Sequence, residues 1–117
     1  MTLLWIALGG ALGAVTRYGV GQLVGFPYGT LVVNVVGSFL MGLVAVLLMS
    51  KGMDKFQPLI MTGMLGGFTT FSTFSLDVVK LVDAERFGAA GLYVVASVAL
   101  SLIAIFVATL VAKGALS

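Results

Sequence analysis

Residues 66–75 read Gly66-Gly67-Phe68-Thr69-Thr70-Phe71-Ser72-Thr73-Phe74-Ser75. They interrupt an otherwise apolar stretch, residues 59–82, with paired glycines and a run of hydroxyl groups. Glycine costs about 1 kcal/mol against alanine in a helix, and threonine loses side-chain freedom there. The stretch therefore predicts a helix that breaks at this point.

The composition places that break in a membrane. Hydrophobic residues make up 61% of the 117-residue chain and charged residues only 9%, whereas about a quarter of the residues in soluble domains are charged. At about 20 residues per crossing, the chain has room for four helices and no soluble domain. Backbone freed from a helix in lipid is tolerated only where it is buried in protein or lines a polar cavity. The break is therefore a candidate site.

The predicted architecture is all-α, a single four-helix transmembrane domain over residues 1–117 with a third span broken in mid-membrane. The expected spans are 3–23, 30–49, 59–82 and 87–111. The N-terminus lacks the basic region of a cleaved signal peptide. No internal repeat is recognisable, so the inverted symmetry of many transporters would require two chains.

Missing residue types exclude several functions. The chain has neither cysteine nor histidine, which removes disulfides, thiolate and imidazole catalysis and the usual zinc ligands. No nucleophile–base pair is recognisable, so no enzymatic activity is expected. The net charge is only +2, and the six basic residues are scattered along the flanks of the spans instead of forming one basic patch. No nucleic-acid partner is therefore expected either.

Polar residues recur at helical spacing in two spans. The two sets, each sharing one helix face, are Thr30, Asn34, Ser38 and Tyr93, Ser97, Ser101. Asn34 has two interpretations, because its amide could bond to another helix and hold the bundle together or could face a bound or permeating ligand. The two polar stripes and the hydroxyl-rich break together indicate a path through the membrane that is lined by polar groups.

The first span carries a packing motif and a charge. Gly9 and Gly13 form a small-x-x-x-small pattern, which lets two helix backbones approach closely in lipid. Arg17 lies late in the span, beside Tyr18. It either anchors the helix at the interface or shapes a vestibule that attracts anions.

Basic residues are balanced across the predicted membrane. One side carries Lys51, Lys55 and Lys113, and the other carries Lys80, Arg86 and, if its side chain reaches the interface, Arg17, so the count is three against three or three against two. The positive-inside rule needs an imbalance to fix orientation. Its absence predicts that both orientations insert and pair as an antiparallel homodimer, with a two-fold axis in the membrane plane.

The available groups restrict the chemistry of the path. Hydropathy places every acidic residue, Asp77 included, at or beyond a span end, which favours a passive path or a structural bundle over a proton-coupled pump. Hydroxyls, amides and the ring edges of Phe71 and Phe74 suit an anion, although both rings also fit ordinary apolar packing. Carbonyls freed near Gly66 and Thr69 would instead suit sodium. The residues alone do not decide between these ions.

Three motifs carry a resemblance to a known family. They are Gly9-Gly10-Ala11-Leu12-Gly13-Ala14-Val15-Thr16-Arg17-Tyr18, Gly29-Thr30-Leu31-Val32-Val33-Asn34-Val35-Val36-Gly37-Ser38-Phe39 and residues 66–75. Over nearly its whole length the chain resembles the Fluc (CrcB-type) fluoride channels, and the third motif is the most specific.

The resemblance implies a dual-topology homodimer with two parallel fluoride pores and one central sodium ion. Such a protein would be a fluoride-selective passive channel of the inner (plasma) membrane that exports fluoride and lowers its cytoplasmic concentration. The sodium would be held by backbone carbonyls of both chains, at the positions of Gly66 and Thr69, and Arg17 would lie near the pore mouth. The matching pore residues are Asn34, Phe71, Phe74, Ser72, Thr73, Tyr93, Ser97 and Ser101, with Ser38 of the second-span stripe expected beside them.

Two other functions compete with a channel. A small dual-topology multidrug exporter also has four helices. Such an exporter requires a membrane-embedded glutamate in the first span, and this chain has none there. A non-transporting assembly subunit would use the polar stripes only for adhesion, and it predicts no ion flux.

Overall fold

The computed structural model describes residues 1–26 and 28–116. Pro27, expected to mark the break between the first two spans, lies outside the described residues. So do the side chains of Asp54 and of Ser72, one of the predicted pore residues.

Regular structure in the described residues is helical throughout. In chain order the elements are α1 (Thr2–Val24), α2 (Tyr28–Ser50), a 3₁₀ turn (Asp54–Phe56), a π-helical stretch (Pro58–Leu65), α3 (Gly66–Phe68), α4 (Ser72–Asp83) and α5 (Phe87–Leu116). Four stretches are long and apolar enough to cross a membrane: α1, α2, a third span over Pro58–Asp83, and α5. The prediction of an all-α protein with four potential membrane spans is confirmed.

The turn after α1 depends on a glycine. Gly25 has φ 84°, a left-handed conformation that side chains with a Cβ rarely adopt. Its N–H donates to the carbonyl oxygen of Gly21 at 3.0 Å, which closes the last turn of the helix. The chain can therefore reverse direction within a few residues and begin α2 at Tyr28.

The third span is irregular where the glycines and threonines cluster. After α3 the backbone of Thr69 is extended, with φ −84° and ψ 156°, and helical structure resumes at Ser72. The Thr69 N–H and hydroxyl both donate to the carbonyl oxygen of Leu65, at 3.0 and 3.1 Å. The Thr70 hydroxyl accepts from the Thr73 N–H at 3.3 Å, as a capping hydroxyl does at the start of a helix. Side-chain hydroxyls thus satisfy backbone groups on both sides of the extended residue.

Glycines bring α1 into direct contact with the third span. A Cβ at Gly9 would collide with the carbonyl oxygen of Leu59, and a Cβ at Gly13 with that of Met64. The close approach predicted from the small-x-x-x-small pattern is therefore confirmed, because no other residue would fit at these two positions.

A second close contact joins α2 to α5. A Cβ at Gly42 would lie 2.7 Å from the carbonyl oxygen of Ile105 and 2.8 Å from the Cβ of Ala108. A small core of Phe74, Leu81, Ala90 and Tyr93 fills the space between α4 and α5. Many large apolar side chains remain exposed, which fits surroundings of lipid and further protein rather than water.

Candidate functional site

Asn34 is the main link between α2 and the extended segment of the third span. Its Nδ2 donates to the carbonyl oxygen of Thr70 at 2.8 Å, and its Oδ1 accepts from the Thr70 N–H, also at 2.8 Å. The amide thereby pairs both backbone groups of a residue outside the helices, which would otherwise be costly to bury. An interhelical bond, one of the two interpretations of Asn34, is present.

The same amide also borders a cavity of about 370 Å³, called here the central cavity. Its lining residues are Asn34, Gly37, Ser38, Met41, Thr69, Thr70, Phe71, Phe74, Ser97, Val98, Ser101 and Ile105. Six of the predicted pore residues, from three different spans, therefore meet around one space: Asn34, Ser38, Phe71, Phe74, Ser97 and Ser101. The two interpretations of Asn34 are compatible, since one amide can both brace the third span and face the cavity.

Ser97 contributes an unsatisfied hydroxyl to this cavity. The residue is only 4% exposed, and its Oγ has no hydrogen-bond partner among the described residues. Leaving a buried hydroxyl unpaired costs about 1–3 kcal/mol, so such groups are uncommon in native structures. A ligand in the central cavity could accept a hydrogen bond from this hydroxyl.

The two phenylalanines of the motif differ sharply in their surroundings. Phe74 is 8% exposed and packs against Tyr93 with ring centroids 5.3 Å apart, whereas Phe71 is 76% exposed. Their own ring centroids are 5.5 Å apart at an interplanar angle of 46°. Ordinary packing explains Phe74, but it does not explain Phe71, whose ring borders the central cavity and has little of the chain around it.

Asp77 is buried, which its position in the sequence does not indicate. The hydropathy pattern places this carboxylate at the end of the third span, and the structure shows that it is enclosed by protein within α4, 5% exposed. The Tyr93 hydroxyl donates to its Oδ2 at 2.9 Å. A tyrosine on a neighbouring helix thus satisfies a carboxylate that hydropathy alone assigns to the interface. The available signal was the spacing of Asp77 from Phe74 and Thr73, which places all three on one side of a helix.

A second space, called here the outer cavity, has a volume of about 250 Å³. Its lining includes Arg17, Gln22, Phe26, Thr30, Thr73 and Asp77. The second-span stripe is therefore divided, with Thr30 at the outer cavity and Asn34 and Ser38 at the central one. Thr73 also lies at the outer cavity and not beside Phe71.

A pair of hydroxyls lies between the two cavities. Thr70 lines the central cavity, Thr73 lines the outer one, and their hydroxyl oxygens are 3.4 Å apart. The Thr70 hydroxyl donates to the Thr73 hydroxyl, so a hydrogen bond joins the linings of the two cavities.

Arg17 reaches inward from α1. Its Nε donates to the carbonyl oxygen of Gly67 at 3.2 Å, and the side chain is partly buried. The guanidinium therefore ties α1 to the third span while bordering the outer cavity. This position places a positive charge at the outer cavity.

The two predicted sodium ligands occupy different backbone conformations. Thr69 is extended and lines the central cavity, while Gly66 is helical, with φ −63° and ψ −37°. Three neighbouring carbonyls, those of Leu65, Gly67 and Thr70, accept hydrogen bonds from Thr69, Arg17 and Asn34 respectively. Carbonyl oxygens are ligands that a hard cation prefers, and the assignment of Gly66 and Thr69 as sodium ligands stays a prediction.

Comparison with known proteins identifies the chain's relatives. Residues 4–109 match the family model described as CrcB-like protein, Camphor Resistance (CrcB). The fluoride-specific ion channel FluC of Cereibacter sphaeroides is 57% identical over 107 residues, covering 86% of each chain. The protein of the same name from Ruegeria sp. is 48% identical, covering 100% of this chain and 98% of its own, and that from Paracoccus denitrificans is 48% identical over 118 residues.

The family match extends over nearly all of the four potential spans and includes every residue discussed at the two cavities. Together with four apolar helices, it identifies a multi-pass membrane protein. The chain belongs to the CrcB family, whose relatives here are named as fluoride-specific ion channels.

Proposed function

We propose that this protein is a fluoride-selective passive channel of the plasma membrane that lets fluoride leave the cell and so lowers its cytoplasmic concentration. The observation that carries the proposal is the buried, unpaired hydroxyl of Ser97 beside the central cavity, in a protein whose relatives are named as fluoride channels. As a member of a family of ion channels, it is a transport protein and not an enzyme.

Hydrogen-bond donors at close range account for the choice of ion. Fluoride is small and strongly hydrated, so a path must replace its water shell with other donors. The Asn34 amide, the Ser97 and Ser101 hydroxyls and the ring edges of Phe71 can do this at the central cavity. A larger halide would gain less from each donor, and the absence of a fixed positive charge among the described lining residues allows the ion to leave.

The lining also favours passive conduction over proton coupling. No ionisable side chain is among the described residues that border the central cavity. Asp77 borders the outer cavity instead, where the Tyr93 hydroxyl holds its carboxylate. A proton-coupled pump would need a titratable group at its central site.

We further infer that the working form is an antiparallel, dual-topology homodimer with two parallel pores, whose third spans cross the membrane as broken helices. The small bias of basic residues across the membrane, three against two without Arg17, supports insertion in both orientations. The 76% exposure of Phe71 supports a partner surface beside the central cavity. Four helices alone are also too few to enclose a path.

A sodium ion at the dimer centre completes this proposal. The carbonyl groups of Gly66 and Thr69, supplied by both chains, would hold it. When bound, the ion would add positive potential near the anion path and link the third spans of the two chains. The extended backbone of Thr69 supports this assignment, because it directs that residue's peptide groups away from a helical pattern.

The test is ion efflux from liposomes that contain the purified protein. A fluoride electrode should record rapid fluoride release, whereas chloride-loaded liposomes should lose negligible chloride. If folded, dimeric protein released neither fluoride nor chloride, the channel would be rejected and a non-transporting assembly subunit would be favoured. The multidrug-exporter alternative has no support from the comparisons.

A further inference from the structure

Lys80 lies at the same end of the bundle as the outer cavity. Its Nζ is 5.7 Å from the ring centroid of Phe26, a cation–π distance. Phe26 belongs to the turn between α1 and α2 and is itself part of the outer cavity's lining. Lys80 lies in the last turn of α4, one turn beyond Asp77. The contact between the end of α4 and the turn after α1 thus places an exposed ammonium group beside Phe26.

The charged groups at this end of the bundle balance in number. Arg17 and Asp77 both border the outer cavity and carry opposite charges, with Asp77 held by Tyr93 and the Arg17 Nε bonded to the Gly67 carbonyl. The end of α4 and the turn after it carry Lys80 and Arg86 together with Asp83 and Glu85, so the net charge of the six groups is zero. What distinguishes Lys80 is its place, because its ammonium group lies over Phe26, a residue of the outer cavity's lining.

We propose that Lys80 is the entry residue of the anion path, with Phe26 holding its ammonium group at the mouth of the outer cavity so that its charge raises the local anion concentration. The proposal rests on the proposed function as an anion channel. Lys80 acts on arriving ions by long-range attraction and does not bind them in the path. Phe26 is a positioning residue that acts through Lys80.

Electrostatic attraction of this kind has a recognisable dependence on salt. One exposed unit charge several ångströms from an ion changes the local concentration by about two- to threefold in a medium of water-like dielectric constant. The Debye length is about 30 Å at 0.01 M and about 3 Å at 1 M ionic strength, so the effect disappears in concentrated salt. A structural defect would persist at both ionic strengths.

The experiment measures fluoride efflux from liposomes at limiting fluoride, with ionic strength set by potassium gluconate. The variants are Lys80→Gln, Lys80→Arg and Phe26→Leu. Lys55→Gln is the matched control, because Lys55 also lies over a phenylalanine ring, that of Phe56 at 5.3 Å. Lys55 is at the opposite end of its own chain from the outer cavity, in the connection between α2 and the third span, and neither Lys55 nor Phe56 lines the outer or the central cavity. Each variant's dimer content and melting temperature are measured in parallel.

In the antiparallel dimer only one of the two outer cavities faces the liposome interior, so a two- to threefold effect at each entry should reduce total efflux about 1.3- to 1.5-fold in Lys80→Gln at low ionic strength, and the variant should match the unmodified protein at 1 M. Lys80→Arg should retain the flux, Phe26→Leu should lose part of its salt-sensitive component, and Lys55→Gln should behave as the unmodified protein. An equal loss at both ionic strengths, an unchanged Lys80→Gln flux, or an equal effect of Lys55→Gln would overturn the assignment. Absence of fluoride flux in the unmodified protein would instead reject the proposed function.

Discussion

Asn34 and Thr70 exchange two hydrogen bonds of 2.8 Å, in which one side-chain amide pairs both backbone groups of a residue between two helices. The two residues are 36 positions apart in the chain, so this contact fixes α2 against the extended segment of the third span. It also fixes one side of the central cavity, which both residues line. The structure of the segment and the lining of the candidate path therefore depend on the same amide.

The substitution Asn34→Asp separates these two contributions. Aspartate keeps the acceptor for the Thr70 N–H but loses the donor to the Thr70 carbonyl, which should cost about 1–2 kcal/mol within a membrane. Its negative charge at the central cavity should repel an anion and abolish fluoride flux, measured by efflux from liposomes. Size-exclusion chromatography should still detect assembled protein. Normal flux from Asn34→Asp would remove this residue from the path.

Ser97→Ala tests whether the unpaired hydroxyl serves an ion. The substitution removes a buried group that has no partner among the described residues, so folding stability should stay the same or rise slightly. Fluoride flux should nevertheless fall severalfold, since the path loses a donor. Thr109→Ala is a suitable control, because the Thr109 hydroxyl is exposed and bonds to its own helix through the Phe106 carbonyl. Unchanged flux in Ser97→Ala would mean that the hydroxyl is only a packing feature.

Tyr93→Phe tests the contact with Asp77. Without the phenolic hydroxyl, a buried carboxylate loses its donor, which should lower the free energy of unfolding by roughly 1–3 kcal/mol. Asp77→Asn in the same protein should recover part of that loss, because a neutral amide is cheaper to bury than an unpaired charge. Melting temperatures in detergent of the two single variants and the double variant provide the comparison. Strictly additive losses would argue against a coupled pair.

Gly13→Ala tests the close packing of α1 on the third span. The added methyl group would collide with the Met64 carbonyl oxygen, so the helices must separate, at a cost of about 1–3 kcal/mol. Gly19→Ala in the same helix is the matched control, since its Cβ would meet nothing within 4 Å and alanine favours a helix. Thermal unfolding should show Gly13→Ala destabilised and Gly19→Ala unchanged or stabilised. Equal behaviour of the two variants would contradict the packing.

Much of the fold could be predicted because lipid imposes simple requirements. Composition and length indicate four apolar helices, and the spacing of Gly9 and Gly13 indicates a backbone contact, since only small residues permit one. The polar character of residues 66–75 likewise predicts the irregular segment, which lies beside the central cavity.

The partners of the polar residues could not be predicted in the same way. Whether Asp77 lies at an interface or is buried depends on Tyr93, 16 residues away, and the Arg17 contact with Gly67 joins positions 50 residues apart. Helical spacing also assigns Thr30 and Asn34 to one face, but it carries no information on which neighbouring helices divide that face between two cavities. Such contacts arise from the tertiary packing of helices and not from any periodicity.

The most direct measurement is parallel fluoride and chloride efflux from liposomes containing either the unmodified protein or Phe71→Ile. Phe71 borders the central cavity and is largely exposed, so isoleucine should disturb the rest of the chain little while removing the electropositive ring edge. We predict rapid fluoride release, negligible chloride release, and loss of fluoride release in Phe71→Ile protein that remains assembled. Equal release of both ions, or full fluoride release from Phe71→Ile, would contradict a fluoride-selective path at the central cavity.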